Sequence, residues 1–178
     1  MKNILILILL ITISASCCNN KDTIIYNLTN EEKALVPYKK LDVITWQNNN
    51  GNVFDGTVLE TTTSLREIAE YDCKEFIGES VEIRFNIDNS PYSMTLDKWD
   101  GSRIDLSISS NAGRENQITF YSSITDINNF GTVNFNGEVF ENSIKINGNL
   151  PNNTLIYSKT NGIEFILFED GTWYKRVE

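Results

Sequence analysis

The chain has no histidine and only three cysteines and three prolines among its 178 residues. Without imidazole, Ser-His-Asp and Cys-His catalysis, histidine-ligated zinc and histidine general bases are excluded. The 15 lysines and arginines are outnumbered by 24 aspartates and glutamates, which gives a formal net charge of −9. Proteins that bind nucleic acid need a basic face to meet phosphate, so we expect no nucleic-acid partner.

No apolar run of the sequence is long enough to span a bilayer, and the longest one lies at the N-terminus. Residues 4–13 are apolar except for Thr12. At about 1.5 Å per residue, this run covers about 15 Å of helix, half of a hydrocarbon core of about 30 Å. Lys2 precedes the run and the small residues 14–16 follow it. This order is typical of a secretory signal peptide, here residues 1–16, with a clipped membrane anchor or a buried helix as the alternatives.

Ser14-Ala15-Ser16-Cys17 resembles the lipobox of bacterial lipoproteins, with Ser14 at the position where an aliphatic residue is usual. The resemblance implies cleavage before Cys17 and attachment of diacylglycerol to its sulfur. Two or three acyl chains anchor a protein almost irreversibly, whereas one chain anchors it marginally. We therefore expect the membrane as a partner, residues 17–30 as a polar tether, and one domain over residues 31–178.

Two later segments resemble small uncharacterised lipoproteins of Bacteroidetes. They are the opening Leu35-Val36-Pro37-Tyr38-Lys39 and the hairpin from Asn136-Gly137 to Ile146, which is followed by Tyr157-Ser158 and by Asp170-Gly171-Thr172-Trp173. Residue 18 is not aspartate, so the resemblance to lipoproteins retained at the inner membrane is missing. The resemblance implies the outer membrane, on its periplasmic or surface face, and it supplies no catalytic residues.

The remaining chain is typical of a β protein. Short runs of β-branched and aromatic residues recur every 8 to 12 residues or so, separated by turn sequences such as Asp88-Asn89, Asn136-Gly137 and Asn161-Gly162. This spacing predicts a mainly β fold, a single antiparallel meander that forms a sandwich or a partly open barrel. The capping-box spacing of Thr29 and Glu32 predicts a short helix, so that one or two short helices accompany the sheet.

The segment 64–77 is ambiguous. Ser64 and Glu67 have the spacing of a second capping box, and the apolar residues that follow fall near one helical face. Leu65, Ala69 and Tyr71 also alternate with charged residues, as in a half-buried strand. The sequence therefore leaves helix and strand open for this segment.

Cys73 is the only cysteine inside the predicted domain. We expect it to be a buried, inert thiol, because a nucleophilic cysteine would need a base and no histidine is present. A disulfide to Cys18 in an oxidising envelope is the alternative.

Two acidic clusters contain a tryptophan, Asp97-Lys98-Trp99-Asp100 and Glu169 to Trp173. An acid beside an indole is frequent in sugar-binding clefts, so Trp99, Asp100 and Trp173 are the candidate binding residues. The competing interpretation places Asp100 and Asp170 in tight turns and both tryptophans in strands that face the core. No phosphate-binding glycine loop or EF-hand loop is present, and we expect no catalytic residues, cofactor or metal.

Three functional hypotheses follow. The first is a non-catalytic, lipid-anchored envelope domain that acts by binding or assembly. The second is a carrier of an apolar ligand, such as a lipid, held in a curved sheet. The third is a carboxylate-based module that binds or hydrolyses glycans. An exposed tryptophan beside paired acids in one cleft would favour the third hypothesis, whereas two buried tryptophans would remove it.

Overall fold

A computed structural model describes residues 21–110 and 117–177. It confirms a mainly β fold, with 65% of residues in strands and a single antiparallel sheet that stays unclosed. The predicted signal peptide, Cys17 and Cys18 lie outside the described residues.

Twelve strands and two short helical turns make up the described chain. The strands are β1 (Asp22–Tyr26), β2 (Val43–Asn48), β3 (Val53–Tyr71), β4 (Lys74–Ile87), β5 (Ser90–Lys98), β6 (Ile104–Ser110), β7 (Ile118–Ile124), β8 (Gly131–Phe135), β9 (Glu138–Asn147), β10 (Thr154–Ser158), β11 (Gly162–Leu167) and β12 (Trp173–Arg176). The helical turns are α1 (Asn30–Lys33) and a 3-10 turn at Ile127–Asn129.

The strand order is β7-β6-β5-β4-β3-β2-β12-β11-β10-β9-β8, so consecutive strands are mostly neighbours, as in a meander. The long β3 pairs with β2 through its first residues and with β4 through the rest. The first strand, β1, pairs in parallel with Lys74–Gly78 of β4. Because β5 pairs only with the later part of β4, β1 occupies the stretch of that edge that β5 leaves open.

The curved sheet brings its far parts together at the loop after β9. Asn149 accepts a hydrogen bond from the Thr119 amide at 2.9 Å and donates its own amide to the Thr119 carbonyl at 2.9 Å. Phe120 and Gly148 form an isolated antiparallel bridge beside these bonds. These contacts hold β7 against the loop after β9, although the sheet does not close into a barrel.

The hairpin turns explain the meander. Asp88 and Asn89 have φ of 49° and 60°, and Asn136 and Gly137 have φ of 53° and 81°. Two-residue loops with positive φ at both positions match the twist of antiparallel strands, and Asn, Asp and Gly tolerate that conformation best. The turns predicted at these two positions are confirmed.

The ambiguous segment 64–77 is extended, so its helical alternative is wrong. Ser64–Tyr71 belongs to β3, and the turn residues Asp72 and Cys73 have φ of 51° and 59°. The preceding run Thr61-Thr62-Thr63 favours a strand, and the segment pairs with β4 as far as Tyr71, with one register shift between Glu67 and Ala69. The spacing of Ser64 and Glu67 therefore caps no helix.

The predicted capping box at Thr29 is confirmed, but it begins only one helical turn. Thr29 Oγ1 accepts the Glu32 amide at 3.2 Å, and Glu32 Oε2 accepts the Thr29 amide at 2.8 Å. Apart from this turn and the 3-10 turn, residues 21–110 and 117–177 contain no helix.

The interior contains a large cluster of buried apolar side chains that extends from Leu28, before α1, to Phe168, after β11. Trp46 and Tyr157 are fully buried in it. A smaller cluster on β9, β10 and β11 includes Phe165, against which Trp173 packs. The expectation that Trp99 faces the core is wrong, since Trp99 is 43% exposed and Lys98 takes the inward position.

Cys73 is not the buried, inert thiol that we expected. It is half-buried at the turn between β3 and β4, and it is disulfide-bonded. The Asp22 amide donates a hydrogen bond to the Cys73 carbonyl at 3.2 Å, which places the start of β1 at this turn. Ordered pairing therefore begins within the segment that we expected to be a tether.

Candidate binding groove on the outer face of the sheet

Outward-facing side chains at the end of the β5–β6 hairpin define the candidate site. Because Lys98 points into the interior, its neighbours Asp97 and Trp99 point outward. Asp97 lies directly opposite Asp105 across the β5–β6 ladder. Residues so opposed have Cβ atoms about 5 Å apart, so the two carboxylates share one patch of surface.

This patch lies in a surface groove of about 400 Å³. Five consecutive strands contribute to its lining, from Arg66 and Ile68 on β3 to Tyr121 on β7. Gly78 lies at a close approach, because a Cβ there would come within 2.0 Å of the Lys98 carbonyl oxygen. The absence of a side chain at residue 78 therefore permits the packing of β4 against the end of β5 at this place.

Arg103 holds Asp105 in a two-pronged ion pair. Its Nε lies 2.9 Å from Oδ1, and its Nη2 lies 2.8 Å from Oδ2. Nη2 also donates to the Tyr121 hydroxyl at 3.2 Å. Burial alone would raise the pKa of Asp105, but hydrogen bonds from Arg103, Tyr121 and Ser123 outweigh it and lower the pKa. Asp105 is thus a fixed carboxylate at neutral pH.

Asp97 is less fully engaged. Arg66 Nη1 lies 3.8 Å from Asp97 Oδ1, while Arg66 Nη2 lies 3.1 Å from Glu82 Oε2. The Oδ1 of Asp97 is buried, but the Asp97 side chain as a whole is 31% exposed, against 10% for Asp105. Of the two opposed carboxylates, Asp97 is therefore the one that a ligand can reach.

Two exposed aromatic rings lie in the same groove. Trp99 is 43% exposed and Tyr121 is 51% exposed. The Arg103 guanidinium lies 5.1 Å from the centre of the Trp99 ring, which holds the indole in place by a cation–π contact. The groove therefore combines flat apolar surface with fixed carboxylates and guanidinium groups.

The other two candidate residues lie elsewhere or serve another purpose. Asp100 Oδ1 accepts the amides of Ser102 and Arg103, both at 2.7 Å, so its carboxylate closes the turn. The Ser102 amide is the main cause of a lowered Asp100 pKa. Trp173 stacks on Phe165 with ring centres 5.4 Å apart, and three strands separate β12 from β5 in the sheet. Trp99 and Trp173 are not brought together.

The candidate list from the sequence lacked Arg66, Arg103, Asp105 and Tyr121. A signal for two of them was present, because Arg103 and Asp105 alternate with Ile104 and Leu106 and so lie on one face of a strand. Arg66 and Tyr121 come from distant parts of the chain, and only the strand order places them beside Trp99.

A wider concavity of about 710 Å³ lies at the loop around Asn149. The side-chain amide of Asn153 is buried there, and its Oδ1 and Nδ2 have no hydrogen-bond partner in the described chain. At the rim, Lys145 Nζ lies 4.9 Å from the centre of the Phe135 ring. This concavity presents a ligand with less exposed aromatic surface than the Trp99 groove does.

Across residues 21–110 and 117–177, no three or more cysteines or acids are grouped as metal ligands. The same residues include no helix with the length and apolarity needed to cross a membrane. No family model matches the chain, and no curated protein or solved structure is significantly similar to it.

Proposed function

We propose that this chain is a non-catalytic, lipid-anchored envelope protein that binds a neutral saccharide in the Trp99 groove. The observation that carries the proposal is the placement of exposed Trp99 and Tyr121 beside the opposed carboxylates Asp97 and Asp105. Saccharides expose both apolar C–H faces and hydroxyl groups. An indole ring, the partly exposed carboxylate of Asp97 and guanidinium groups offer a partner to each.

The anchor rests on the sequence of residues 1–17. The short apolar run, the small residues 14–16 and Cys17 favour a lipid-modified protein of the outer membrane. The net charge of −9 disfavours docking on anionic lipid, so a covalent lipid would provide the attachment.

Binding is favoured over hydrolysis by the state of Asp105. A glycosidase needs one carboxyl group that keeps its proton near neutral pH and acts as an acid. Hydrogen bonds to the carboxylate, led by the ion pair with Arg103, lower the pKa of Asp105 in spite of burial. A carboxylate held in this way can accept hydrogen bonds, but it is a poor proton donor.

The charge of the groove favours a neutral ligand. Its ionisable lining includes Glu67, Glu79, Asp97 and Asp105 against Arg66 and Lys98. Lys98 and Glu79 are already paired with Glu32 and Lys33. Glu67, Asp97 and Asp105 then lie beside Arg66 and Arg103 only, so the groove keeps an excess of negative charge. Neutral hexoses and N-acetylhexosamines therefore suit it better than anionic sugars such as uronic acids.

The apolar-carrier hypothesis receives less support. Buried side chains from both halves of the sheet form a continuous cluster in the interior. Residues such as Met94, Leu106 and Leu155 are fully buried there and occupy the space that a lipid would need.

Isothermal titration with neutral oligosaccharides of hexose and N-acetylhexosamine units tests the groove. We expect a member of this panel to bind, and Trp99→Ala to weaken that binding by about tenfold or more, equivalent to about 1.4 kcal/mol. The control is Val139→Ala, an exposed apolar residue on β9, which should bind like the wild type. No binding by any panel member, or equal binding by Trp99→Ala and wild type, would contradict the proposed ligand.

Metabolic labelling with radioactive palmitate tests the anchor. The wild-type chain should incorporate label, and Cys17→Ser should not. If neither protein is labelled, the proposed location is wrong even when the saccharide experiment succeeds.

A further inference from the structure

The long strand β3 has an open edge. β2 pairs with residues 53–57 of β3, and backbone hydrogen bonds with Leu41 and Asp42 extend that contact to Val58. Beyond Val58, no described backbone group pairs with β3 on the side away from β4. Residues 61–67 are all exposed, so the described part of the chain does not cover this edge.

This edge lacks the features that usually prevent pairing between sheet edges. Its central run, Thr61-Thr62-Thr63-Ser64-Leu65, contains no charged residue and no proline. Unpaired strand edges act as templates for a further strand, and natural proteins protect them with charges, proline, bulges or short length. Strand β8, which ends the sheet, is protected in the last way, because it has only 5 residues. The edge of β3 is therefore suited to accept another strand.

The charged residues on either side of this run are the two ends of one chain of ion pairs. Glu60 Oε2 lies 3.5 Å from Arg84 Nη1, and Arg84 Nε lies 3.1 Å from Glu82 Oε1. Glu82 Oε2 lies 3.1 Å from Arg66 Nη2. The register with β4 is uninterrupted from Glu60 to Arg66, so both side chains lie on one face of β3. They are 47% and 46% exposed, so each can take a further partner.

We propose that the open edge of β3 pairs in antiparallel fashion with the same edge of a second copy of this chain, about a two-fold axis at Thr63. Thr63 then faces itself, and Glu60 of each copy faces Arg66 of the other. Opposite charges directly across a ladder stabilise the pairing. The two chains of ion pairs join at both ends into a ring in which positive and negative charges alternate.

Only this position of the axis brings the two charges together. An axis at Thr62 would place Arg66 opposite Val58. An axis at Ser64 would place it opposite Thr62. A contact through residues 60–66 is small beside the 20–30 residues or so that each partner of a standard interface contributes, so the dimer is weak and exchanges readily. The pairing goes beyond the proposed saccharide binding and does not depend on it.

Cross-linking through residue 63 tests the pairing. Cα atoms of residues directly opposite each other in an antiparallel ladder lie about 4.5 to 5.5 Å apart, within the range that a disulfide needs. Cells that express the full chain with Thr63→Cys, treated with copper phenanthroline, should give a covalent dimer on a non-reducing gel. The controls are the wild type, which gives the background of the native cysteines, and Val139→Cys, at an exposed position on β9. Both should remain monomeric.

Charge reversal tests the register. With Thr63→Cys present, Glu60→Arg sets two arginines against each other and Arg66→Glu sets two glutamates against each other. Each change should lower the yield of dimer about fivefold or more. When the two variants are expressed together with different tags, the mixed dimer has only opposite charges across the contact, and its yield should recover. Effects within one chain cannot explain that recovery, because each variant keeps its own altered contacts.

Failure of Thr63→Cys to form a dimer would overturn the proposal, and so would equal yields from the charge variants and their parent. A new disulfide within one chain, to Cys17 or Cys18, would show that the N-terminal segment occupies the edge instead. A disulfide to a different protein would assign the edge to another partner. Either result would overturn the pairing of two copies, and neither would bear on the Trp99 groove.

Discussion

The Ile163 amide at the start of β11 donates a hydrogen bond of 2.6 Å to the hydroxyl oxygen of Tyr38, a residue that precedes β2. Tyr38 lies between α1 and β2 and is buried, and Ile163 follows the turn into β11. Tyr157 makes a similar contact, because its hydroxyl donates to the Leu35 carbonyl at 2.5 Å. Two buried phenols therefore fasten the segment after α1 to the hairpin of β10 and β11.

Gly162→Ala should be much more destabilising than Gly137→Ala. Both glycines have left-handed backbones, with φ of 76° and 81°. A Cβ at residue 162 would come within 2.2 Å of the Tyr38 hydroxyl oxygen, whereas residue 137 has open space around it. Backbone strain alone costs about 1–2 kcal/mol, and the clash with Tyr38 should add about 1–3 kcal/mol. Urea unfolding midpoints of the two variants measure the difference, and equal losses would show that the Tyr38 contact is unimportant.

Tyr38→Phe should lower the free energy of unfolding at neutral pH. It should also make that free energy decrease less steeply in alkaline solution. The variant leaves the buried Ile163 amide without its acceptor, at about 1–3 kcal/mol. Burial raises the pKa of Tyr38, so the folded protein resists its ionisation while the unfolded chain does not. The contribution of Tyr38 is complete below about pH 10 and is lost progressively above it. The free energy of unfolding should fall less steeply above pH 10 in the variant, although burial also raises the pKa of Tyr157, which remains. Identical slopes would contradict this role.

The fold was largely predictable because local chemistry determines most of it. Asp88-Asn89 and Asn136-Gly137 are turns whose residues tolerate positive φ, and they separate runs that alternate in polarity. The turn at Asp72-Cys73 was not recognised, since cysteine is an unusual residue for such a position. Because that turn was missed, the capping-box spacing of Ser64 and Glu67 left a helix as an alternative for segment 64–77. The pairing with β4 shows that the segment is a strand.

The groove was harder to predict because its members meet through register. Residues 99–103 form the loop between β5 and β6, and this loop length sets Asp97 opposite Asp105. A two-residue turn at Asp100-Gly101 would set Asp97 opposite Ile104 instead. A shift of one residue moves every side chain of a strand to the other face. The sequence around Asp100 indicates a turn but does not give its length.

Lys98→Met should destabilise the domain strongly, and Glu32→Gln should restore much of the loss. Lys98 Nζ lies 2.6 Å from Glu32 Oε1, and the two side chains are only 4% and 13% exposed. Removal of one partner from a buried ion pair costs about 3–5 kcal/mol, because it leaves the other charge uncompensated. In the double variant no charge is left, and glutamine at residue 32 still accepts the Thr29 amide of the capping box.

Arg84 is the matched control, because its exposed side chain pairs with Glu60 at 3.5 Å and with Glu82 at 3.1 Å. Arg84→Met should change stability by about 1 kcal/mol or less, because solvent screens these pairs. Thermal and urea unfolding compare the four proteins, and a loss in Lys98→Met no larger than in Arg84→Met would refute the importance of the buried pair.

Asp105→Asn should make the domain less sensitive to acid. Hydrogen bonds from Arg103, Tyr121 and Ser123 lower the native pKa of Asp105 in spite of its burial, so the unfolded chain binds the proton more tightly than the folded protein does. The stability that Asp105 contributes is therefore complete above about pH 4, the ordinary pKa of aspartate, and is lost as the pH falls through its lower native pKa. Asparagine has no proton to bind. The variant should be less stable than the wild type at pH 7, and the two unfolding free energies should converge below pH 4.

Glu169→Gln, at an exposed position in the loop between β11 and β12, is the control and should leave the acid profile parallel to the wild type. A constant difference between Asp105→Asn and wild type at every pH would show that the ion pair with Arg103 does not couple protonation to folding.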